Sequence, residues 1–106
     1  MTKAAADGLI REFLLGFIKM HILHHAAKGR IYGAEFRNEL SRHGYKLSFG
    51  TIYPIFHRLE AGAYLRSEKV NIGGKMRKYY AITPKGAGTL EYSRARVREL
   101  VLELEG

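Results

Sequence analysis

Three histidines stand close together in "MHILHH": His21, His24 and His25. His21 and His25 are four residues apart, which puts both imidazoles on one face of a helix at the spacing of a zinc-ligand pair. A metal site needs a further carboxylate or histidine, and none is obvious nearby. The competing reading packs one histidine at a subunit contact and leaves the others in solvent. Acid–base and nucleophilic chemistry have less to work with. The chain has no cysteine, so no disulfide framework, thiolate nucleophile or thiolate zinc site exists. Asp7 is the only aspartate. Glu60, in "RLEAG", reads as a structural partner for a nearby arginine rather than a general base. With no phosphate-cradling glycine loop either, the residues assemble no catalytic constellation and no enzyme is expected.

A different chemistry is written in "SFGTIYPIFHRLEAGAYL", Ser48 to Leu65. On a helical wheel Phe49, Ile52, Ile55, Phe56 and Leu59 gather on one side, predicted to be the core face. The other side carries Gly50, Tyr53, Pro54 and His57, flanked by Thr51 and Arg58. A proline inside a helix removes a backbone hydrogen bond and crowds the preceding turn. Here it points away from the core, and the carbonyl it orphans belongs to Gly50, where water can satisfy it. The result is a flat, narrow helix face of hydroxyls, an aromatic, an imidazole and a guanidinium, which suits a DNA major groove. Ser48 or Thr51 can hold a phosphate, and Tyr53 and His57 can reach phosphates or base edges. Taken alone, such a face is also an ordinary solvated surface.

Its neighbours decide between the two. A greasy first helix is predicted at about Leu9 to Ala27, too interrupted by charge to span a membrane and too apolar to be covered by its own core. An amphipathic second helix follows at about Tyr32 to His43. The helix just described is third, with Ser48 as its N-cap. Two strand-like runs, Tyr64 to Val70 and Lys75 to Ile82, flank the hairpin turn "NIGG". "TPKG" opens a last helix reaching about Glu105, with Thr83 as N-cap and Pro84 in the first turn. In it Leu90, Val97, Val101 and Leu104 form a seam that Arg94 interrupts. Gly29, Gly44 and Gly62 fall where helices should end in a left-handed residue. Residues 1–8, "MTKAAADG", read as a flexible lead.

Charge points the same way. The chain carries eighteen Lys and Arg against ten Asp and Glu, a net +8. Half of that excess lies in Tyr64 to Ile82, where Arg66, Lys69, Lys75, Arg77 and Lys78 face only Glu68. Two helices joined by a short turn and followed by a cationic ribbon make a winged helix-turn-helix, an α+β, mainly helical domain. A winged helix used on protein or RNA is the remaining class; the concentrated charge disfavours the first and the absence of a stacking motif the second.

"HILHHAAKGRIYGAEFRNEL", "GTIYPIFHRLEAGAYL" and "GGKMRKYYAITPKG" together resemble the PadR family of transcriptional regulators over about residues 16–90. Gly50, Thr51, Tyr53 and Pro54, then Arg58, Leu59, Glu60 and Gly62, carry the likeness, as does Arg77-Lys78-Tyr79-Tyr80 leading into Thr83. The resemblance implies a dimeric prokaryotic repressor of near-palindromic operators; with no cysteine and no spanning or signal segment, a cytoplasmic, nucleoid-associated protein is expected. Residues 9–82 are then the DNA-binding domain, with its wing at 64–82, and residues 83–106 the single dimerisation helix of the short subclass. It places Gly50, Thr51, Tyr53 and Pro54 at the start of the recognition helix and Lys75, Arg77 and Lys78 on the wing; with Ser48, His57 and Arg58, read from the helix face itself, these are the candidate DNA contacts. Leu9, Phe13, Phe17, Leu90, Val97, Val101 and Leu104 are expected at the dimer contact. No cofactor is implied. Relatives often answer to small molecules, and Phe13, Phe17 and Tyr92 are candidates to line an interfacial cavity or simply to pack the dimer.

Overall fold

The computed structural model describes residues 7–106. The first six residues of the expected flexible lead lie outside the described residues, but its end is ordered. Helix α1 spans Gly8–Lys28, and Asp7 caps it by accepting from the amides of Leu9 at 2.8 Å and Ile10 at 3.4 Å. Strand β1, Ile31–Tyr32, then leads into α2, Gly33–Arg42, and α3, Phe49–Ala61. The wing is β2, Leu65–Ile72, and β3, Lys75–Ile82; α4 runs from Pro84 to Glu105.

The strands form one antiparallel sheet in the order β1-β3-β2. The two-residue β1 was not expected: it pairs Ile31 with Tyr80 and Tyr32 with Tyr79, closing the wing onto the body. The wing turn is Gly73-Gly74, both at positive φ, with the Gly74 amide donating to Asn71 Oδ1 at 3.0 Å. Of the three glycines expected to end helices in the left-handed region, Gly44 does so (φ 89). After α3 the left-handed residue is Ala63 (φ 64); Gly62 is there for space, because a Cβ on it would lie 2.8 Å from the Tyr64 ring.

Ile18, Ile22, Leu23 and Ala26 of α1, Phe36 and Leu40 of α2, and Ile52, Ile55, Phe56 and Leu59 of α3 make the core with Leu65, Tyr80 and Leu90. Phe49 is a correction to the predicted core face: it is partly exposed, lying under the Arg37 guanidinium at 4.5 Å and stacked on Tyr53 at 5.2 Å. Burial fades at both outer helices. Within α4 only Gly86 and Leu90 are buried. The radius of gyration is 15.0 Å, whereas a compact chain of this length has about 13 Å.

Candidate nucleic-acid interface

Helix α3 starts at Ser48, which occupies the N-cap position with its hydroxyl turned to Thr51 Oγ1 at 3.3 Å rather than to a backbone amide. The Ser48 carbonyl still accepts from Thr51 and Ile52 at 3.1 Å, so the helix opens regularly. One turn later Tyr53, Pro54 and His57 emerge on the exposed face while Ile52, Ile55 and Phe56 go inward. A Cβ on Gly50 would meet only Ser48 Oγ, at 3.6 Å. The glycine is therefore not demanded by crowding inside the chain, and its effect is to leave the face beside Pro54 flat.

Tyr53 is held rather than free. Its ring lies on Gly33, where a Cβ would come within 2.6 Å of Tyr53 Cε1, and it stacks on Phe49 with the planes 14° apart. Arg37, on α2, lies over the Phe49 ring and donates from Nε to the Leu47 carbonyl at 2.8 Å. This ladder of Arg37, Phe49 and Tyr53 locks the turn between α2 and α3. Sequence reading did not single out Arg37, because its contacts lie ten and twelve residues away and carry no local signal.

The wing folds over the same face. Glu60, at the end of α3, accepts from Ser67 Oγ of β2 and faces Lys78 Nζ of β3 at 3.2 Å. The Ser67 hydrogen bond, and then Lys78, hold the Glu60 carboxyl below the usual carboxylate range. The expected partner of Glu60 was an arginine; it is a serine and a lysine. Lys78 is thus a tether from wing to helix, its ammonium also above the Tyr80 ring at 5.4 Å. Arg77, next to it on β3, lies 4.6 Å from the centre of the Tyr32 ring. On the outer face of the sheet Arg30 continues the series, over Tyr79 at 4.5 Å and paired with Glu68 at 2.8 Å.

Between α3 and the wing lies an open cleft of about 500 Å³ lined by Tyr32, Tyr53, His57, Met76, Arg77 and Lys78, among others. Four of the ten candidate DNA residues, Tyr53, His57, Arg77 and Lys78, meet there. Ser48 lines a separate hollow with Arg37 and Lys46 at the start of α3, with Thr51 at its side, while Gly50 and Pro54 lie on the exposed face and Lys75 is exposed beside the wing turn. Arg58 stands apart: it borders a groove with Lys19 and Met20 of α1 and Ser93 of α4. Tyr32, Arg30 and Met76 join the surface without having been expected.

The candidate dimer residues divide similarly. Leu9, Phe13, Phe17, Val97, Val101 and Leu104 are exposed, whereas Leu90 is 6% exposed and belongs to the protomer's own core. Phe17 lines a largely apolar hollow between α1 and α4 with Met20, His24, Leu90, Arg94 and Val97. Phe13 stacks on Phe17 at 5.7 Å, while Tyr92 sits on the surface beneath Arg96.

The histidines gather more company than their sequence suggested. His21 and His25 stack at 6.3 Å, His43 comes within 5.8 Å of His21, and Glu39 faces His43 at 3.4 Å. Burial, and then the neighbouring His25 and His43, pull His21 below the ordinary imidazole value. Among the described residues, however, no group of three or more His, Asp or Glu is placed to hold a metal ion. Nor is any helix among them long and apolar enough to cross a membrane.

Residues 22–92 match the transcriptional regulator PadR-like family. The transcriptional regulator Rv3488 of Mycobacterium tuberculosis is 45% identical over 97 residues, covering 92% of this chain and 91% of that protein. A PadR-like transcription factor from Bacteroides fragilis superposes with a TM-score of 0.81 at 27% identity, over 93% of this chain and 97% of the other. A PadR family regulator from Eggerthella lenta gives 0.73 at 30% identity, over 94% and 92%.

Proposed function

Because this chain belongs to the PadR-like family of transcriptional regulators, non-enzymatic DNA-binding proteins of winged-helix fold, we propose that it is a homodimeric repressor that reads a near-palindromic operator. The observation that carries the reading is the cleft in which Tyr53 and His57 of α3 face Arg77 of the wing. Helix α3 enters the major groove, and Tyr53, Pro54 and His57 meet base edges and thymine methyl groups. Gly50 lets the backbone approach closely, Ser48 and Thr51 take a phosphate, and Arg58 reaches the backbone from the flank of the helix. Lys75 and Arg77 contact the adjacent backbone and supply salt-dependent affinity, while Lys78 holds the wing in place. Two copies, joined through the exposed apolar residues of α1 and α4, set their recognition helices in successive major grooves about 34 Å apart. A small-molecule effector entering the hollow beside Phe17 would change that spacing and release the operator. Such a protein works in the cytoplasm, on the nucleoid.

Competition binding tests this. Operator DNA from upstream of the protein's own gene is expected to outcompete a shuffled duplex about a hundredfold, or 2.7 kcal/mol. Replacing Lys75 and Arg77 by Ala is expected to lower the slope of log affinity against log salt by about two. An unchanged slope removes the wing from the interface, and equal affinity for both duplexes removes the reading of sequence.

A further inference from the structure

The outward face of the sheet is cationic from the tip of the wing to its root. Side chains alternate between the two faces of a strand, and Tyr80 lies in the core, so Arg77, Tyr79 and Ala81 turn outward. The register sets Arg66 opposite Ala81, Glu68 opposite Tyr79, and Tyr32 on the other side of Tyr79. With Lys75 at the tip and Arg30 two residues before Tyr32, this face carries four cations against one carboxylate, Glu68. Aromatic rings join them. The Arg77 guanidinium lies over Tyr32 at 4.6 Å, Tyr32 meets Tyr79 edge to face at 5.3 Å, and the Arg30 guanidinium lies over Tyr79 at 4.5 Å. The strip leaves the cleft at Tyr32 and Arg77 and ends at a hollow of about 160 Å³ lined by Arg30, Arg66, Ser67, Glu68, Tyr79 and Ala81. Among the described residues Arg66 has no ion-pair partner, and Arg30 has only Glu68, at 2.8 Å.

We infer that Arg30 and Arg66 hold a backbone phosphate of DNA flanking the base pairs that α3 meets, so that the duplex is gripped from the cleft round to the root of the wing. The inference rests on the DNA-binding reading above and extends the contact beyond Lys75 and Arg77. A guanidinium resting on an aromatic ring keeps its N–H edge free for an anion and loses little freedom when one arrives. The three steps from Arg77 to Arg30 keep the two guanidiniums within about four nucleotides of one strand, at ~3.4 Å of rise each. Ala81 is small, which leaves the space between Arg66 and Arg30 open to a phosphate. Such a contact adds affinity and fixes the orientation of the domain without reading sequence. Glu68, on the same face, moderates it.

Fluorescence anisotropy with the full chain tests this, on a long duplex from upstream of its own gene and on a shuffled duplex of equal length. R30A/R66A is expected to bind both about tenfold more weakly and to lower the slope of log affinity against log salt by about two. The preference between the two duplexes should stay as it was, because phosphate contacts carry no sequence information. R66A alone alters an exposed side chain without an ion pair, so folding is not at stake, and it should lower the slope by about one. A slope unchanged in both variants overturns the inference and leaves this face to an acidic protein surface. A changed preference overturns it too, because the arginines would then act on the reading residues rather than on a flanking phosphate. The variant K75A/R77A keeps the two readings apart. A slope lowered by K75A/R77A but not by R30A/R66A defeats this inference alone, whereas a wild type that binds neither duplex defeats the DNA-binding reading with it.

Discussion

Tyr53 is restrained on two sides, by Gly33 beneath its ring and by Phe49 stacked against it. The atom crowding Gly33 is the far end of a side chain, so Gly33→Ala is expected to cost stability little, about 1 kcal/mol or less. The ring has to swing out of the cleft, however, and preference for operator over random DNA should fall. Measuring urea unfolding and competition binding on the same variant separates the effects; unaltered preference would mean that the seating of Tyr53 does not matter. His21 makes a second residue-scale prediction. It is held below its ordinary value by burial first and by His25 and His43 next, and His24 is lowered too, by burial and Lys28. The unfolded chain therefore takes up protons near pH 6.5 that the folded chain refuses. Stability is complete above about pH 6.5 and declines as the pH falls below it. Urea midpoints across that range should show the decline, and His21→Gln should flatten it. A wild-type midpoint that stays level from pH 7.5 down to about 5.5 would contradict the assignment.

Among the elements, the junction of wing and last helix is the least forgiving. Thr83 caps α4 by accepting from the Gly86 amide at 3.0 Å and donates its hydroxyl proton to the Ala63 carbonyl at 2.6 Å. A Cβ on Gly86 would sit 2.2 Å from the Tyr64 carbonyl oxygen. That neighbour is backbone and cannot swing aside, so Gly86→Ala should destabilise by about 2–3 kcal/mol, read from urea unfolding. A loss below about 0.5 kcal/mol would mean the helix start shifts freely. The elements were legible in the sequence to different degrees for physical reasons. Helices α3 and α4 announce themselves through periodic apolar residues and cap residues. Strand β1 is two residues long, and its pairing with Tyr79 and Tyr80 is settled far along the chain. Phe49 has the right wheel position for the core but stands at the first turn of α3, where Arg37 rather than the core covers it. The aromatic and imidazole face of the candidate site could be read locally. The Glu60–Lys78 contact could not, since it exists only once the sheet has folded back over α3.

For the whole molecule, the decisive quantity is how little of the outer helices one chain can cover. Leu9, Phe13, Leu100, Leu102 and Leu104 each expose more than half of their surface. If a second copy covers much of it, mass action links folding to association. A hundredfold rise in protein concentration should then raise Tm by about 5 °C. Calorimetry at two concentrations measures it, and a Tm independent of concentration would mean that single chains are already fully stable. One small feature governs the molecule's future as much as its present. A single carboxylate, Glu60, ties both strands of the wing to α3. If Tyr53 and His57 read the operator as proposed, descendants of this gene can exchange them and acquire new operators while inheriting the distance between helix and wing unchanged. Duplicated copies would diverge in the words they read long before they diverge in the frame that holds the reading residues.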